Sequence, residues 1–468
     1  MTDIVEDIFR IVGSKGILTG DAVNERPIDW RGNGSRQAKA IVRPANTQEV
    51  AAVLKICNDA KQNIVAIGGL TGLVRGTDSC ASDILLSLER MTEIESIDKI
   101  GRTAIVQAGV ALQKIQEAAN ELDLLFALDL GARGSCSVGG NIATNAGGNQ
   151  VLRYGNMREQ ILGLEVVLAD GTVLTSMNGS LKNNTGYDLK HLFIGSEGTL
   201  GIITKAVLRL HPRNLTRNTA LVAISSFDAL VDFFALISEQ LAGNLTAFEV
   251  MWQDHYKLIA VESGRHQAPL TDEYAFYVIV EHQGMQLELD REAFSSALEL
   301  ASEKELLTDA VIAQSESQID AFWSIREDIE GLAMALMPAC VFDVSLPIMH
   351  MNQYINSITA NVKNKWGAGD TGEDSNAKVV TFGHLGDGNL HIIISVGKDD
   401  EKTIKEINTL VYQPLQAIGG SISAEHGIGI EKKRYLKYSR SPEELTLMRL
   451  LKSSIDPNNI LNPGKIFD

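Results

Sequence analysis

The chain has 468 residues, which exceeds the size at which one hydrophobic core stops growing, so it predicts two or more domains. Its 44% hydrophobic and 22% charged residues are typical of a folded globular protein. The formal net charge of −17 argues against a nucleic-acid partner, because such proteins cluster Lys and Arg against phosphates. An anionic small substrate is not excluded, since its site needs only a few well-placed donors.

Signals for disulfides, targeting and membrane insertion are weak in this sequence. The four cysteines form no CxxC pair, and they predict small, buried, reduced thiols. Residues 1–10 are acidic and lack the charged-then-apolar layout of a signal peptide. No apolar run reaches the roughly 18 residues that a bilayer-spanning helix needs. We therefore predict a cytoplasmic protein without a transmembrane segment.

The chain reads as an α/β mixture from about residue 41 onward. Asn46 followed by Glu49 predicts a capped helix start, and apolar residues follow at helical spacing. The β-branched run at 64–67 predicts a strand that stops at Gly68.

Further strands are predicted before residue 212. Two apolar runs within 162–174, joined at Asp170-Gly171, predict a hairpin. The run at 202–210 predicts a strand, and His211-Pro212 ends it. We place the first domain boundary there.

The sequence changes in character between residues 213 and 380. Glycines become fewer, and the pattern is that of an α+β layout. Residues 363–377 are polar and glycine-rich and predict a loop, and dense Gly, Asn and Pro return from 419 to 468. Helical patterns and apolar β-like runs alternate in this region, with helices predicted at 291–307 and 319–336 and strands at 275–280 and 342–346.

Three glycine-rich segments stand out in the first half. Residues 68–76 directly follow a predicted strand, and such a loop can present consecutive backbone N–H groups to an anion. This loop is neither GxGxxG nor a P-loop, and alone it is more often a simple turn. The second segment, 131–148, carries small polar side chains that bury little apolar surface. With the third, 195–203, the set favours a backbone that closely approaches a large polar ligand.

Two histidine segments carry a second signal. His384 and His391 flank Gly386-Asp387-Gly388, and Glu425-His426 follows later in the chain. Imidazole and carboxylate groups are ligands that a borderline divalent metal prefers. The spacing of the first two histidines fits neither one helix face nor one strand face, so the glycine turn must supply a bend. On the residues alone, a metal site and a pair of hydrogen-bonded core histidines both remain open.

Together these segments resemble the flavoproteins of the vanillyl-alcohol oxidase / p-cresol methylhydroxylase (PCMH) superfamily. Within it, the runs at 129–148, 163–167 and 184–188 are most similar to those of D-2-hydroxyglutarate and D-lactate dehydrogenases, and the resemblance extends over 41–468. It implies an α+β fold with a PCMH-type FAD-binding domain of two α/β subdomains and an α+β cap domain with an antiparallel sheet. A C-terminal segment would pack back on the FAD domain and complete the active site. The predicted boundaries are 1–212 for the FAD domain, 213–418 for the cap domain and 419–468 for the C-terminal segment.

The resemblance also implies how FAD is bound. Residues 68–72 would cradle the diphosphate, and the other glycine segments would line the rest of the cofactor. Members that bind flavin covalently carry a His or Cys, whereas Gly69-Leu70-Thr71 offers neither, so we predict noncovalent FAD. Family members often have Asn where Leu70 stands. The predicted cofactor-binding residues are Gly68, Gly69, Leu70, Thr71, Gly72, Ser135, Gly139, Gly140, Asn141, Thr144, Glu197, Gly201, Ile202 and Ile203.

Catalytic roles follow from the same resemblance. His384, His391 and Glu425 would bind a divalent metal, usually zinc. His426 would be the base, because hydride leaves Cα only as the hydroxyl proton is lost. Such a metal lowers the hydroxyl pKa and fixes the substrate against the flavin. Arg on a helix is usually solvated, but here the resemblance implies that Arg326 binds the substrate carboxylate in a bidentate fashion.

The sequence departs from the 2-hydroxyglutarate-specific members at three positions. Those members use a Thr, a Lys and an Asn for the distal carboxylate, and this chain has Glu330, Val341 and Ile393 instead. An acid and two apolar groups would repel a second carboxylate or leave it without donors. We therefore predict preference for a monocarboxylic D-2-hydroxy acid.

The predicted function is FAD-dependent oxidation of a D-2-hydroxy acid to the 2-oxo acid. D-2-hydroxyglutarate dehydrogenase proper is the alternative within this class. Two alternatives belong to other classes: a metal-dependent hydrolase built on His384, His391 and Glu425, and a non-catalytic subunit with a flavin fold. The sequence leaves the electron acceptor open among a quinone, an electron-transfer flavoprotein and a cytochrome, and the resemblance allows a homodimer.

Overall fold

The computed structural model describes residues 3–29, 32, 34, 36–367 and 377–468. They form two compact units, which we call the first and the second unit. The first comprises the described residues of 1–148, 154–213 and 425–468, and the second those of 149–153 and 214–424. Among these residues, every helix is too short or too polar to traverse a lipid bilayer.

Strands and helices follow each other closely along the chain. The strands are β1 (Ile17–Leu18), β2 (Ala40–Val42), β3 (Ile64–Ile67), β4 (Ile84–Ser87), β5 (Ile94–Asp98), β6 (Thr103–Gln107), β7 (Leu124–Leu125), β8 (Ile161–Val167), β9 (Val173–Ser176), β10 (Ile202–Arg209), β11 (His211–Pro212), β12 (Thr216–Ile224), β13 (Leu245–Trp252), β14 (Phe276–Gly284), β15 (Asp309–Ile312), β16 (Cys340–Ser345), β17 (Lys378–His384) and β18 (Asn389–Ser395). The α-helices are α1 (Ile4–Val12), α2 (Asp21–Asn24), α3 (Thr47–Asp59), α4 (Leu112–Asn120), α5 (Val138–Ala143), α6 (Val151–Tyr154), α7 (Met157–Gln160), α8 (Lys190–Phe193), α9 (Phe227–Gln240), α10 (Gln253–Tyr256), α11 (Leu287–Glu303), α12 (Glu316–Arg326), α13 (Ile329–Leu336), α14 (Ile348–Trp366), α15 (Glu401–Tyr412) and α16 (Pro442–Ile455).

The first unit contains two main sheets with separate cores, which confirms the two predicted subdomains. One sheet has the order β1-β2-β4-β3, in which β2 and β3 both run parallel to β4. The other has the order β5-β6-β10-β8-β9 and is antiparallel. Strands β8 and β9 form the predicted hairpin, and Gly171 in its turn has a φ of 85°. Glycine takes this conformation without the steric cost that other residues incur.

Local sequence signals explain how the first sheet is assembled. The Asn46 side chain accepts a hydrogen bond from the Glu49 N–H and caps α3, as predicted. Strand β3 then carries Ile64 into the core. The Ile64 N–H donates to the Ile460 carbonyl at 2.8 Å, and the Asn462 N–H donates to the Ile64 carbonyl at 2.8 Å. The C-terminal segment is therefore an integral part of the first unit.

The second unit is built on a seven-stranded sheet with the order β15-β12-β14-β13-β17-β18-β16. All its paired strands are antiparallel, which confirms the cap domain predicted from the resemblance. Residues directly opposite each other in neighbouring strands point to the same face. Phe382 and Ile393 on one face share a core with residues of α12 and α13. By register, the same face also carries Glu249, His384, His391, Val341 and Asp343.

The single helix predicted at 319–336 is wrong. Helix α12 ends at Arg326 and α13 begins at Ile329. The Asp328 carboxylate accepts a hydrogen bond from the Gly331 N–H at 2.8 Å and caps the second helix. A helical period continues across this break, so periodicity alone does not reveal it.

Two other predictions, the loop at 363–377 and the burial of the cysteines, agree with the structure only in part. The loop predicted at 363–377 begins later, because α14 continues to Trp366, and residues 368–376 lie outside the described part of the chain. All four cysteines are free thiols, but Cys80 is exposed and Cys340 is half-buried, whereas burial was predicted for all four. The Cys80 backbone N–H donates to the Asp83 carboxylate within a surface turn, which holds the thiol at the surface.

Candidate cofactor cavity and histidine cluster

The first unit encloses a cavity of 490 Å³, within the range of about 300–1,000 Å³ typical of ligand pockets. The three glycine-rich segments that the sequence singles out line it together. Every residue predicted to bind the cofactor, from Gly68 to Ile203, is among its lining residues. The structure thus gathers segments that are far apart in the sequence around one space.

Close backbone contact explains why glycine is needed in two of these segments. A Cβ on Gly69 would lie 2.0 Å from the Ser135 carbonyl oxygen, and one on Gly139 would lie 2.7 Å from the Ala108 Cβ. A Cβ on Gly76, in the same loop as Gly69, would meet nothing within 4 Å. The wall of the cavity therefore depends on the absence of a side chain at Gly69 but not at Gly76.

Leu70 has an unusual backbone conformation, with a φ of 59°. This left-handed region costs a residue other than glycine about 1–2 kcal/mol, and Asn tolerates it better than Leu. That preference gives a physical reason for the Asn that family members often have at this position. Leu70 packs against a small cluster that contains Val65 and Ile67, and these apolar contacts offset part of the strain.

Glu197 joins two of the segments that line the cavity. Its carboxylate accepts hydrogen bonds from the backbone N–H groups of Ile428 at 2.7 Å and Gly429 at 2.8 Å. Burial raises the pKa of this carboxyl above its usual value, while the two backbone hydrogen bonds act in the opposite direction. Gly427 has a φ of 86°, and a Cβ there would lie 3.0 Å from the Glu197 carboxyl. The loop therefore wraps tightly around this carboxylate.

That loop brings a predicted metal ligand and the predicted catalytic base to the cavity. Glu425 and His426 both line it, and the Glu425 carboxylate accepts a hydrogen bond from the Gly148 N–H at 3.1 Å. Asn462 also lines the cavity, and the sequence interpretation missed it. Its side chain accepts from the Ala66 N–H at 2.8 Å and donates to the Glu197 carbonyl at 2.6 Å. The only local signal for Asn462 is its place in an Asn-Pro-Gly turn.

The second unit brings His384 and His391 together. Strand β17 ends at His384, a short 3₁₀ turn follows, and Gly388 has a φ of 84° before β18 begins. The bend predicted between the two histidines is thus confirmed. Both side chains are buried, and their ring centroids lie 5.4 Å apart. Asp343, directly opposite His391 on the neighbouring strand, is fully buried as well.

A carboxylate that the sequence interpretation missed lies behind His384. Glu249 is buried, and its Oε1 lies 2.6 Å from His384 Nδ1. Its Oε2 accepts a hydrogen bond from Arg326 Nε at 3.0 Å and lies 2.9 Å from Arg326 Nη2 in the same ion pair. Burial by itself would raise the pKa of the Glu249 carboxyl, but its interactions with His384 and Arg326 lower it below its usual value. The available sequence signal is that Glu249 is the one charged residue of the mainly apolar strand β13.

Arg326 is buried, with 5% of its surface exposed, rather than solvated. Its guanidinium lies over the Phe382 ring, 4.6 Å from the centroid, and its Nη2 is 3.5 Å from His384 Nε2. A cation held in this way needs an anion beside it, since an uncompensated buried charge is costly. Glu249 supplies one such anion, and the fork geometry of Arg suits a second.

The donor set in the second unit fits a divalent cation. A carboxylate only accepts, so the proton of neutral His384 is on Nδ1 and Nε2 presents its lone pair. Metal-binding histidines typically donate their other ring nitrogen to a carboxylate in this way. His391, with its nearby buried carboxylate Asp343, provides a second imidazole.

The three positions predicted to read the distal part of the substrate have different surroundings. Val341 and Ile393 lie directly opposite each other on β16 and β18. Glu330, at the start of α13, is 74% exposed, and its carboxylate accepts from Arg265 Nη2 at 2.7 Å. Arg265 also pairs with Asp328, so the charge of Glu330 is partly balanced.

Comparison with known families supports a flavoprotein. A family described as "FAD binding domain" matches residues 38–176. A second family, described as "FAD linked oxidases, C-terminal domain", matches residues 213–466. Together they account for most of the chain.

Curated relatives are similar over nearly the whole chain. A mitochondrial protein of Schizosaccharomyces pombe, provisionally named a D-lactate dehydrogenase, is 41% identical over 95% of this chain and 84% of its own length. A D-2-hydroxyglutarate dehydrogenase of Xanthomonas citri pv. viticola is 40% identical over 94% of this chain and 91% of its own. The mitochondrial D-2-hydroxyglutarate dehydrogenase of Bos taurus is 37% identical over 99% of this chain and 83% of its own.

Solved structures share the fold at low sequence identity. An alkyldihydroxyacetonephosphate synthase has a TM-score of 0.76 at 17% identity and covers 99% of this chain and 86% of its own. p-Cresol methylhydroxylase has a TM-score of 0.73 at 17% identity over 99% of this chain and 96% of its own. This likeness confirms the PCMH-type fold. The family matches and the relatives show that the chain belongs to the FAD-linked oxidase family that includes the D-2-hydroxyglutarate and D-lactate dehydrogenases.

Proposed function

We propose that this chain is an FAD-dependent dehydrogenase that oxidises a D-2-hydroxy acid to the 2-oxo acid. The observation that carries the proposal is the buried arrangement of Arg326, Glu249 and His384. It offers a fixed guanidinium for a carboxylate beside an imidazole whose Nε2 would bind a metal in place of its contact with Arg326 Nη2. The names of the relatives support the same reaction class.

The cavity of the first unit is the proposed FAD site. Its glycine-rich walls present backbone rather than side chains, which suits a large polar cofactor. When bound there, FAD would supply the hydride acceptor for the reaction. The Gly68–Gly76 loop offers neither His nor Cys, so we propose that the cofactor is held without a covalent link.

A divalent metal, with zinc as the proposed ion, would be held by His384, His391 and Glu425. It would supply Lewis acidity that lowers the pKa of the substrate hydroxyl. Nitrogen and oxygen donors of this kind are suitable zinc ligands. Glu249 fixes the ring of His384, and the Gly148 N–H fixes the carboxylate of Glu425.

The remaining steps belong to the residues of the chain itself. Arg326 would bind the substrate carboxylate and so orient the Cα–H bond. His426, on the loop held by Glu197, would accept the hydroxyl proton. The substrate loses this proton and a hydride from Cα, and its C–O single bond becomes C=O.

D-2-hydroxyglutarate dehydrogenation is the second candidate, because several relatives carry that name and Arg265 lies next to Glu330. The apolar pair Val341 and Ile393 favours a monocarboxylic substrate instead. We propose the cytoplasm as the compartment, and the names of the yeast and bovine relatives support mitochondria as its alternative. The acceptor would be a quinone, an electron-transfer flavoprotein or a cytochrome, and a homodimer is the proposed assembly.

A screen of D- and L-2-hydroxy acids with an artificial dye acceptor tests the proposal. We expect dye reduction with D-enantiomers only. The His426→Ala variant should lose turnover and keep both FAD and metal, because a base acts in the transition state. The His384→Ala variant should lose metal as well. The assignment would be contradicted if none of the acids supported dye reduction, or if the metal content of His384→Ala were unchanged.

A further inference from the structure

We propose that Glu249 is a positioning residue that holds Arg326 and His384 in one arrangement, so that a single buried carboxylate controls both anion binding and metal binding. This inference rests on the roles proposed above for those two residues. It assigns a function to a side chain that contacts neither the substrate carboxylate nor the metal.

The geometry gives each carboxylate oxygen a separate task. Oε1 lies 2.6 Å from His384 Nδ1, and Oε2 accepts a hydrogen bond from Arg326 Nε at 3.0 Å and lies 2.9 Å from Arg326 Nη2. Charge-assisted hydrogen bonds of this length are among the strongest in proteins. Glu249 also lies directly opposite His384 in the register of β13 and β17, so its reach to the imidazole is set by the sheet.

The hydrogen bond to His384 fixes the ring tautomer. With Nδ1 as the donor, Nε2 can offer its lone pair to a cation. The neutral Gln side chain has one donor end and one acceptor end, so it cannot serve both partners as acceptors at full charge. Substituting Glu249 with Gln would therefore release either the His384 imidazole or the Arg326 guanidinium.

Charge balance supplies a second reason. Arg326 Nη2 lies 3.5 Å from His384 Nε2, so a cation bound at that nitrogen would lie close to a guanidinium. Two positive groups at that separation repel each other strongly in a buried site. The carboxylate of Glu249 touches both partners and offsets this repulsion. Removing its charge should weaken the binding of the metal and of the substrate together.

The sheet offers a matched control for this carboxylate. Glu281 on β14 is also buried, and it also accepts hydrogen bonds from an arginine, Arg217, at 2.7 Å. It contacts the same helix as Glu249, because Trp323 Nε1 donates to it at 3.0 Å, one turn before Arg326. Among the described residues, the Glu281 side chain makes no hydrogen bond to His384, His391, Glu425 or Arg326, so its substitution removes a buried carboxylate without removing a contact of the proposed site.

The experiment compares Glu249→Gln and Glu281→Gln with the unmodified chain, all with FAD bound. Each protein is stripped with a chelator and titrated with Zn²⁺ by calorimetry, and the KM and kcat for the best acid of the dye-coupled screen are measured. We expect Glu249→Gln to bind Zn²⁺ about 10- to 100-fold more weakly, the usual effect of losing such a partner. Its KM should rise by about tenfold or more, as expected when a charged contact of about 1.4 kcal/mol is lost. Glu281→Gln should keep both values.

Two outcomes would overturn the proposal: wild-type Zn²⁺ affinity and KM in Glu249→Gln, or equal losses in Glu281→Gln. If Glu249→Gln does not fold, as judged by its thermal unfolding, Glu249→Asp is titrated instead. Its shorter side chain keeps the charge but cannot reach both partners, so weaker Zn²⁺ binding or a raised KM is expected, and wild-type values for both would contradict the idea. If the unmodified chain oxidises no D-2-hydroxy acid, the proposed function fails, yet the Zn²⁺ titration still decides whether Glu249 positions His384.

Discussion

The carboxylate of Glu197 accepts a hydrogen bond from the backbone N–H of Ile428 at 2.7 Å, across a sequence separation of 231 residues. The neighbouring Gly429 N–H binds the other carboxylate oxygen. Glu197 itself belongs to the cavity-lining glycine segment 195–203, and the loop it holds carries Glu425 and His426. One side chain thus ties the cofactor cavity to the proposed proton acceptor.

Substituting Glu197 with Ala should therefore impair both stability and turnover. Each partly buried N–H that loses its acceptor costs about 1–3 kcal/mol. We expect a lower thermal midpoint, and a fall in kcat that exceeds the loss of FAD, because His426 is no longer fixed. Glu121→Ala, at an exposed position, is the control and should leave both unchanged. A wild-type kcat in FAD-loaded Glu197→Ala would show that the loop needs no such support.

Gly69 and Gly76 provide a test of the cavity wall. In Gly69→Ala the new Cβ would meet the Ser135 carbonyl at 2.0 Å, so the two cavity segments must separate. We expect the purified variant to contain little FAD. Gly76→Ala, in the same loop, has open space for its Cβ and should bind FAD normally. The absorbance ratio of flavin to protein measures both, and full FAD occupancy in Gly69→Ala would exclude this loop from the binding site.

His255 predicts a specific loss of stability in acid. Its ring is fully buried against Phe382, and within the described residues neither ring nitrogen has a hydrogen-bond partner. Burial, and then the charge of Arg326, lower its pKa to about 3, while Asp328 acts in the opposite direction. The unfolded chain takes up a proton below a pH of about 6.5 and the folded chain does not, so stability falls as the pH drops from there towards 3.

The size of this effect follows from the pKa difference. At pH 5 the His255 contribution should be about 2 kcal/mol less favourable than at pH 8. His255→Phe should remove that part of the pH dependence, and its thermal midpoint should fall less between pH 8 and pH 5 than that of the unmodified chain. His350→Phe alters an exposed histidine and serves as the control. Parallel curves for His255→Phe and the unmodified chain would be inconsistent with a buried neutral imidazole.

Substrate choice is predicted from the apolar pair Val341 and Ile393. Ile393 is buried, and a distal carboxylate beside it would lose water without gaining donors, which costs several kcal/mol. We expect kcat/KM to be highest for a monocarboxylic D-2-hydroxy acid and orders of magnitude lower for D-2-hydroxyglutarate. Arg265 is the residue that would reverse this order of kcat/KM values. It would do so if its guanidinium moved away from Glu330 and bound the second carboxylate of the substrate instead. A higher kcat/KM for the dicarboxylate, lost in Arg265→Gln, would identify that route and contradict our prediction.

Features with a local signal could be predicted from the sequence. The cap at Asn46, the hairpin at β8 and β9, and the bend between His384 and His391 each depend on residues a few positions apart. The glycine segments were recognisable by composition, although composition does not show that they enclose one cavity.

Features that depend on distant residues escaped prediction. Glu249 lies 77 residues from Arg326 and 135 from His384, and in the sequence it is one charged residue in a mainly apolar strand. Asn462 likewise binds Ala66, which lies 396 residues before it. The break between α12 and α13 depends on Asp328, which caps α13. Its carboxylate is also held by Arg265, which lies 63 residues before it in the sequence. Pairings of this kind are decided by the packed fold and not by the local pattern.

The proposed dehydrogenase activity is tested most directly by titrating the purified protein anaerobically with a D-2-hydroxy acid while the visible absorption spectrum of the protein is recorded. We expect an oxidised flavin band that bleaches with the D-enantiomer of at least one short or aliphatic 2-hydroxy acid, and not with the L-enantiomer. Acid precipitation of the same sample should leave the flavin in the supernatant, because no covalent link is expected. A flavin band that no D-2-hydroxy acid bleaches, or a protein that binds no flavin, would contradict the proposed FAD-dependent oxidation of a D-2-hydroxy acid.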